Sequence, residues 1–511
     1  MNDFLKRHSE AIEGVISGFD RLIFRGVLRS INYDRGLDKF LAARGVLLKD
    51  FKRFVGQCTA RIASHAEGVA QRAGRPYIYL ESAGVRKDDY AREIARRDSL
   101  SGGLICVLAV VEPCQTADLA YDKPTNRLRV IFRLRKCRFF YFYYLDKEFG
   151  LMHVRLQSWV PFDLQVYING RLYLARQLER EGIPFEQRHN AFIHLGNYPR
   201  AQALLDRLVN RNWAETLNAL AARVNPLLES LGLTEEFGYY WTIYESEMAT
   251  DVVFKDRRAL QAVYPALTGH AMAHFASRDV MRFLGGRDGG ALPKSAVSSL
   301  KKRPEGVRIR HAINENSLKM YDKEGCILRV ETTINNPRRF LVLRRRHGTL
   351  KWEKMCKGVR DIARRAQVSL AANGRYLDAL SVVGETTPSH RLLDPVSRPI
   401  TKLGHRYRAL RPISPDDSRI LQAILYGEGL IRGFTNRDLQ ASLFNHKPSN
   451  SREVRCRAGW VCRKLKLLRA HGLVCKVPKR NLYRINQRGH EVATTALIFR
   501  RTDVALLKVS A

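Results

Sequence analysis

The sequence predicts a multidomain protein in which α/β and α+β sections precede a small C-terminal domain of three helices and a β-hairpin. Three observations support this fold class. The 511 residues are 45% apolar and 9% aromatic, which is enough for several packed cores. Short apolar runs alternate with helical stretches over the first part of the chain, and aromatic strand-like runs follow them. Apolar residues at helical spacing are clearest near the C-terminus.

Changes in composition divide the chain into five sections. They are an α/β domain over 1–120, an aromatic β-rich section with helices over 121–235, an α+β domain over 236–381, a linker over 382–416 and a helical domain over 417–495. The linker is predicted from its Pro, Ser, Gly and Arg content and its lack of apolar periodicity.

The first section alternates between two kinds of element. Strands are predicted at 20–28, 76–81 and 104–112, and helices at 34–44, 49–73 and 87–97. In the second section, strands are predicted at 136–146, 150–160 and 161–170, a helix at 171–182, and helical structure over 199–231. The glycine-rich run at 285–290 in the third section is predicted to be a loop, because no strand and helix flank it as a phosphate-binding loop requires.

The run FFYFYY within 136–146 is aromatic on both faces of its strand. Such a strand is either buried on both sides or uses one face for a ligand. Exposed aromatic residues on a sheet stack unpaired bases, and Trp159, Gln165, Tyr167, Asn169 and Arg171 on the following strands would add polar contacts. Core packing is the commoner use of such runs.

Residues 317–335, SLKMYDKEGCILRVETTIN, predict a β-hairpin with a three-residue loop Lys323-Glu324-Gly325. The last loop position favours glycine because it needs a positive φ. With Asp322 opposite Cys326, four apolar residues share one face, and the other face collects polar groups. Those polar groups are Lys319, Tyr321, Lys323, Arg329 and Glu331.

The charge balance points to a polyanionic partner. The chain has 88 Lys and Arg against 50 Asp and Glu, a formal net charge of +38 and a pI near 10.2. This charge destabilises a compact monomer unless a polyanion neutralises it, and nucleic acid is the obvious polyanion. DNA is the main expectation and RNA the alternative. A solubility role or attraction to an anionic membrane would also explain the charge.

Membrane and disulfide signals are weak in the sequence. The most apolar run, 104–112, is too short to span a bilayer, and the charged N-terminus does not resemble a signal peptide. The expectation is therefore a cytoplasmic protein without membrane attachment. The nine cysteines are scattered without a C-x-x-C pair, which disfavours a disulfide framework and a zinc site.

The C-terminal section resembles winged-helix DNA-binding domains. The strings TNRDLQASLF, VRCRAGWVCRKLKLLRAHGLV and KVPKRNLYRINQRG carry the resemblance, and Thr435 is placed to cap the second helix. The resemblance implies that the N-terminal end of a long helix at 451–470 enters the major groove of DNA and that the wing tip meets the backbone. Protein contact is the alternative use of such a domain.

Basic residues in two regions are the predicted nucleic-acid contacts. Residues 450–484 contain eleven Lys or Arg and one acid, Glu453. The predicted contacts are Lys319, Lys323, Arg329, Arg338, Arg339, Arg344, Arg345, Arg346, Arg452, Arg455, Arg457, Arg463, Lys464, Lys479 and Arg480.

Three carboxylates are candidates for a metal-dependent site. Asp20 opens a predicted strand, Glu112 closes one, and Asp251 lies in the apolar stretch ATDVVF. A nuclease of the ribonuclease H type needs such acids near strand ends, where they hold Mg²⁺ or Mn²⁺. Each acid also has an ordinary explanation, such as a turn or an ion pair with a neighbouring arginine.

Tyr321 and Glu331 offer a second kind of chemistry. Tyr321 lies between Lys319 and Lys323, and neighbouring cations favour a phenolate that attacks a phosphodiester. The string YDK followed by LRVE is similar to a motif of rolling-circle replication initiators, although their metal-binding His-x-His pair is absent here. Cross-strand ion pairs with a packed tyrosine are the ordinary alternative.

As a whole, the chain resembles a multi-copy family of bacterial proteins. The strings that carry this resemblance are Phe19–Arg21, Glu112–Cys114, Trp159–Gly170, Ala249–Phe254 and Met320–Thr332. The resemblance implies a mobile genetic element but no particular activity. The sequence therefore predicts a mobile-element protein that binds DNA and cleaves or transfers strands as a nuclease, transposase or replication initiator. The alternative is a non-catalytic DNA- or RNA-binding module, acting as a regulator or as a ribonucleoprotein.

Overall fold

The computed structural model describes most of the chain. It covers residues 1–233, 238–275, 277–285, 296–303, 306–346, 348–383, 389–402, 404–425, 433–444, 446, 448–478 and 480–501. Of the sequence predictions, most of the glycine-rich loop and Lys479 lie outside these residues, and so does the side chain of Arg346.

Strands account for much of the described chain. They are β1 (Ile12–Leu28), β2 (Tyr77–Leu80), β3 (Gly103–Asp122), β4 (Arg127–Asp146), β5 (Gly150–Gln157), β6 (Leu164–Asn169), β7 (Phe185–Arg188), β8 (Ala191–Leu195), β9 (Tyr239–Phe254), β10 (Ala296–Arg303), β11 (Gly306–Ile313), β12 (Asn316–Lys323), β13 (Ile327–Ile334), β14 (Leu341–Arg346), β15 (Thr349–Lys354), β16 (Ile400–Lys402), β17 (His405–Tyr407), β18 (Val474–Lys476) and β19 (Tyr483–Ile485).

The helices alternate with these strands along the chain. They are α1 (Asn2–Arg7), α2 (Asp34–Ala42), α3 (Phe51–Arg72), α4 (Lys87–Arg97), α5 (Gly170–Arg180), α6 (Tyr198–Val209), α7 (Trp213–Val224), α8 (Leu227–Ser230), α9 (Arg257–His274), α10 (Ser277–Phe283), α11 (Ile362–Leu380), α12 (Ser389–Leu393), α13 (Pro415–Ile424), α14 (Asn436–Leu443), α15 (Ser451–Ala470) and α16 (Gln487–Arg501). The predicted mixed α and β architecture is confirmed. None of the described helices has the length and apolar character needed to cross a membrane.

Eleven of the described strands form one sheet. Their order is β10-β11-β12-β13-β9-β1-β6-β5-β4-β3-β2. The β2–β3 pair is parallel, whereas β1–β6, β4–β5 and β5–β6 are antiparallel. Because β1 lies between β9 and β6, residues far apart in the chain become neighbours at the middle of the sheet.

The chain divides into two compact units, each built from separated segments. One unit comprises Gly14–Val253 and Thr333–Ala366, and the other comprises Met1–Glu13, Phe254–Thr332 and Gln367–Ala511. In the first unit, α4 covers the apolar face of β3 and β4, and α5 and α6 pack with Ile16 and Phe192. In the second, the C-terminal helices form their own core around Leu421, Leu465 and Leu468.

The aromatic strand β4 is buried on both faces over Phe139–Tyr143. These five residues are at most 8% exposed. Burial on both sides agrees with core packing and leaves no exposed aromatic face there for stacked bases.

Strands β3 and β4 form a two-stranded ribbon, defined here as residues 111–122 and 127–138. Their pairing runs from Val111 opposite Arg138 to Asp122 opposite Arg127. The neighbouring strands stop earlier, since β2 pairs with β3 only at 107–110 and β5 with β4 only at 139–146. No third described strand therefore extends along the ribbon.

The hairpin β12–β13 turns at Glu324–Cys326, one residue later than predicted, because β12 continues through Lys323. Glu324 and Gly325 have positive φ values of 58° and 82°, and the Gly325 N–H donates to Asp322 Oδ1 at 2.9 Å. Leu318 and Met320 are buried as expected. All eight residues of β13 are buried, however, so its polar face does not face solvent.

The C-terminal section contains helices α13, α14 and α15, then the β18–β19 hairpin and α16. Thr435 caps α14 in a capping box, as the sequence predicts: its hydroxyl accepts from the Asp438 N–H, while its own N–H donates to the Asp438 carboxylate. The predicted linker contains α12 and the β16–β17 hairpin, and its Val396 and Leu410 are buried. This segment is therefore partly folded.

Candidate metal centre

Three carboxylates are a candidate group for holding a metal ion. Asp20 lies on β1, Glu247 on β9 and Glu331 on β13, which are consecutive strands in the sheet order. Each offers a carboxylate oxygen, and these oxygens all lie within 4.8 Å of one another. Asp20 and Glu331 are buried and Glu247 is partly buried. Carboxylate oxygens at this spacing can bind a divalent cation.

Amide side chains hold the Asp20 carboxylate in place. Asn190 Nδ2 donates to Asp20 Oδ2 at 2.7 Å, and Asn169 Nδ2 approaches Oδ1 at 3.4 Å. Asn169 also caps α5, because its Oδ1 accepts from two N–H groups of that helix. The amide that contacts Asp20 is thus fixed by the helix, and the carboxylate is oriented before any ligand binds.

Hairpin residues surround Glu331. The Tyr321 hydroxyl donates to Glu331 Oε1 at 2.7 Å. Lys319 Nζ lies 3.6 Å from Oε2, and Arg329 lies 3.9 Å from Oε1. The expected cross-strand ion pair is therefore present between Lys319 and Glu331, Arg329 adds a pair within β13, and both share their carboxylate with the candidate metal centre.

The electrostatics of the three acids favour a bound cation. Two carboxylates about 4.8 Å apart repel by roughly 3 kcal/mol at the effective dielectric of a protein surface. Lys319 and Arg329 offset part of this repulsion at Glu331. A divalent ion with oxygen ligands would offset it at all three acids, and the donor set suits Mg²⁺ or Mn²⁺.

Sequence reasoning missed Glu247. It lies in YYWTIYESEMATDVVF, two residues after Glu245, within an otherwise aromatic and apolar strand. An acidic residue inside such a strand was the signal that could have identified Glu247. Asp251 in the same strand was chosen instead.

The structure places Asp251 in a buried ion pair, away from the carboxylate group. Arg171 approaches Asp251 Oδ2 at 2.9 Å, and both side chains are at most 1% exposed. Arg171 also donates to the Ala249 carbonyl at 3.2 Å. Asp251 is therefore paired with Arg171 and is not one of the three grouped carboxylates.

Glu112 is likewise separate from the carboxylate group. Lys87 lies 3.0 Å from its Oε1 and Arg155 lies 2.7 Å from its Oε2, and the Tyr141 hydroxyl also donates to it. Burial would raise the pKa of Glu112, but these cations and hydrogen bonds outweigh burial and hold the pKa below its usual value. The polar groups around Glu112 stabilise the β3–β5 region.

Most of the predicted basic contacts are exposed. The exposed ones are Arg338, Arg339, Arg345, Arg452, Arg455, Arg463 and Arg480. Lys319, Lys323, Arg344 and Arg457 are partly buried, and Arg457 donates to Glu453.

Two predicted basic contacts need correction, because both side chains are buried. Arg329 is 0% exposed and faces Glu331. Lys464 is 9% exposed and donates to Asp417 at 2.5 Å. Neither side chain reaches a ligand on the surface.

Comparisons with known proteins give no match: no protein-family model, no curated protein and no solved structure is similar to this chain. The site is therefore interpreted from its own geometry.

Proposed function

We propose that this chain is a nucleic-acid-binding enzyme of mobile-element type that cleaves or transfers DNA strands with a divalent metal ion. The observation that carries the proposal is the group of three carboxylate oxygens within 4.8 Å of one another. Asp20, Glu247 and Glu331 would hold Mg²⁺ or Mn²⁺. Such an ion polarises a phosphodiester and stabilises charge on its oxygens.

The net charge of +38 supports a polyanionic substrate. A second kind of support comes from the hairpin, since Lys319 lies 3.6 Å from Glu331 and would attract phosphate. The C-terminal helices and hairpin would act as a winged helix that binds duplex DNA, with Arg452 and Arg455 at the N-terminal end of α15.

Tyr321 and Glu331 would determine what attacks the phosphodiester. The hydroxyl of Tyr321 donates to Glu331, so this carboxylate is placed to accept the phenol proton. The Tyr321 oxygen would then bond to phosphorus as the P–O bond to one DNA strand breaks, giving a phosphotyrosine and a strand end with a free hydroxyl, as in strand transfer. Attack by water would instead give simple hydrolysis.

The first test measures Mn²⁺ binding by calorimetry and nicking of supercoiled plasmid in the same preparations. Asp20→Asn and Glu247→Gln should each weaken Mn²⁺ binding and slow plasmid nicking. The expected loss is larger than the roughly 10- to 100-fold that is typical of changes to residues that only support the metal ligands. Glu245→Gln is the matched control, because it removes the same charge from the same strand outside the carboxylate group. It should leave both measurements unchanged.

Two results would contradict the proposal. One is equal Mn²⁺ binding by the wild type and the Asp20→Asn/Glu247→Gln double variant. The other is nicking that persists in EDTA. If nicking is present, Tyr321→Phe distinguishes the mechanisms: loss of the activity with retained Mn²⁺ binding indicates a tyrosine nucleophile, and retained activity indicates water.

A further inference from the structure

The ribbon formed by β3 and β4 carries an excess of positive charge. Residues 118–138 contain seven Lys or Arg and only two acids, Asp118 and Asp122. Alternate residues of a strand share a face, so Arg127, Arg129, Arg133 and Arg135 line one side of the ribbon. All four are exposed.

Internal ion pairs neutralise only part of this charge. Asp118, which is 4% exposed, accepts from both Arg133 and Arg135. Asp122 lies 3.8 Å from Arg129, whose side chain is 64% exposed. An ion pair this exposed contributes little to the stability of the fold. Near the turn, Lys123 and Arg127 have no carboxylate partner among the described residues. Exposed basic residues therefore occur along the whole ribbon, and Lys136 and Arg138 add to them at its root.

The ribbon is anchored at its root and exposed toward its tip. The Trp159 indole N–H donates to the Ala117 carbonyl at 3.0 Å, and the Ala117 N–H donates to the Val160 carbonyl at 3.0 Å. Toward the tip, Tyr121 is 58% exposed and Leu128 is 39% exposed. A fixed root with an exposed basic tip is the geometry of an arm that contacts a large partner.

The dimensions fit the major groove of duplex DNA. Two paired strands are about 4.8 Å apart, and the part of β3 beyond Ala117 extends about 17 Å, roughly half of one helical turn. The major groove of B-form DNA admits a two-stranded β-ribbon, whereas the groove of double-stranded RNA is too narrow and deep. This distinction favours duplex DNA over RNA.

We propose that the β3–β4 ribbon is a docking arm that inserts into the major groove of duplex DNA, with its arginine face on the phosphates and base edges. The arm lies outside the C-terminal section and would give the protein a second DNA contact. This inference rests on the proposed nucleic-acid function but does not depend on catalysis.

The test measures binding of the full-length chain to a labelled DNA duplex of about three helical turns by fluorescence anisotropy in EDTA, so that no metal-dependent cleavage occurs. The variant Lys123→Gln/Arg127→Gln/Arg129→Gln removes three tip charges and keeps both partners of Asp118. We expect affinity to fall at least about tenfold at roughly 50 mM salt, and the salt slope to fall by about 2 to 3.

The matched control is Lys52→Gln/Arg61→Gln/Arg72→Gln on α3, which removes the same charge from three exposed positions of the same unit. It should keep the wild-type affinity and salt slope. Equal losses in both triple variants, or no loss in the ribbon variant, would overturn the inference. Thermal unfolding of each variant verifies that the fold is intact.

The outcome is distinguishable from failure of the proposed enzyme. Binding in EDTA that depends on the ribbon, without any metal-dependent nicking, supports the arm and contradicts the catalytic proposal. Duplex RNA of the same sequence should bind more weakly and should not respond to the ribbon variant. If the ribbon variant lost more affinity for duplex RNA than for duplex DNA, the assignment of the ribbon to DNA would be overturned.

Discussion

The buried carboxylates of this chain differ in what surrounds them. Arg171 lies 2.9 Å from Asp251, and Arg155 lies 2.7 Å from Glu112. These arginines neutralise the two carboxylates. Asp20 instead receives hydrogen bonds from neutral amides and lies beside two further acids. The neighbours of these acids therefore differ: arginines contact Asp251 and Glu112, whereas amides and two further acids lie beside Asp20.

A buried histidine gives a pH prediction at the same scale. His311 is 0% exposed and contacts the Ser298 hydroxyl at 2.8 Å and the Tyr376 hydroxyl at 3.2 Å. Burial lowers the pKa of His311 to about 4. Between pH 6.5 and 4 the unfolded chain binds a proton that the folded chain does not. The free energy of unfolding should therefore fall by up to about 1.4 kcal/mol per pH unit in this range.

Urea unfolding of the wild type and His311→Gln at roughly pH 7 and pH 5 measures this effect. The variant should lose less stability on acidification than the wild type, because it removes the titrating group. An equal loss in both proteins would show that His311 does not contribute to the pH dependence.

The sequence identified part of the candidate site for a physical reason. Acids at the start of or within apolar strands drew attention to Asp20 and Asp251, and the polar face of the hairpin drew attention to Glu331. Which acids meet depends on strand order, and strand order is not encoded locally. Glu247 was missed because nothing near it in the sequence indicates that β9 lies between β1 and β13.

At the scale of elements, Asp417 joins two helices of the C-terminal section. It lies on α13, is 1% exposed, and accepts from Arg408 at 2.7 Å and from Lys464 on α15 at 2.5 Å. Burial would raise the pKa of Asp417, but these hydrogen bonds outweigh it and hold the pKa well below its usual value. The stabilisation is therefore present above about pH 4 and is lost as the pH falls further.

Asp417→Asn should destabilise the packing of α13 on α15 by about 3 kcal/mol, because it leaves a buried cation without its charge partner. Hydrogen exchange of the α13 and α15 amides at neutral pH should accelerate accordingly. The control is Arg455→Gln, which changes an exposed residue of α15 and should leave the exchange of these amides unchanged. Slow exchange in Asp417→Asn would contradict the structural role given to Lys464.

Helices were easier to predict than strand lengths. The helix predicted at 87–97 coincides with α4 (Lys87–Arg97). By contrast, β3 continues through Pro113 to Asp122, although the sequence suggested that the strand ends at 112. Proline has no backbone N–H to donate to a neighbouring strand. In a two-stranded ribbon the outer edge has no neighbouring strand, so the missing donor is tolerated there. The end of a strand depends on its partner, which local sequence does not specify.

At the scale of the whole molecule, the net charge of +38 is the dominant property. Self-repulsion of this size destabilises the folded chain, and salt screens it. We expect the thermal midpoint of nucleic-acid-free protein to rise as sodium chloride increases from roughly 50 to 200 mM. Differential scanning fluorimetry measures this shift, and a midpoint that falls over the same range would contradict the expectation.

The sheet order also has a consequence for synthesis. Asp20, Glu247 and Glu331 come from strands at the beginning, middle and later part of the chain, and β9 separates the other two strands in the sheet. A ribosome must therefore translate past β13 before the three acids can meet. A nascent or prematurely terminated chain that lacks β13 would therefore lack the complete carboxylate group. Under the proposed function, such a product would lack the metal site and the strand cleavage that depends on it.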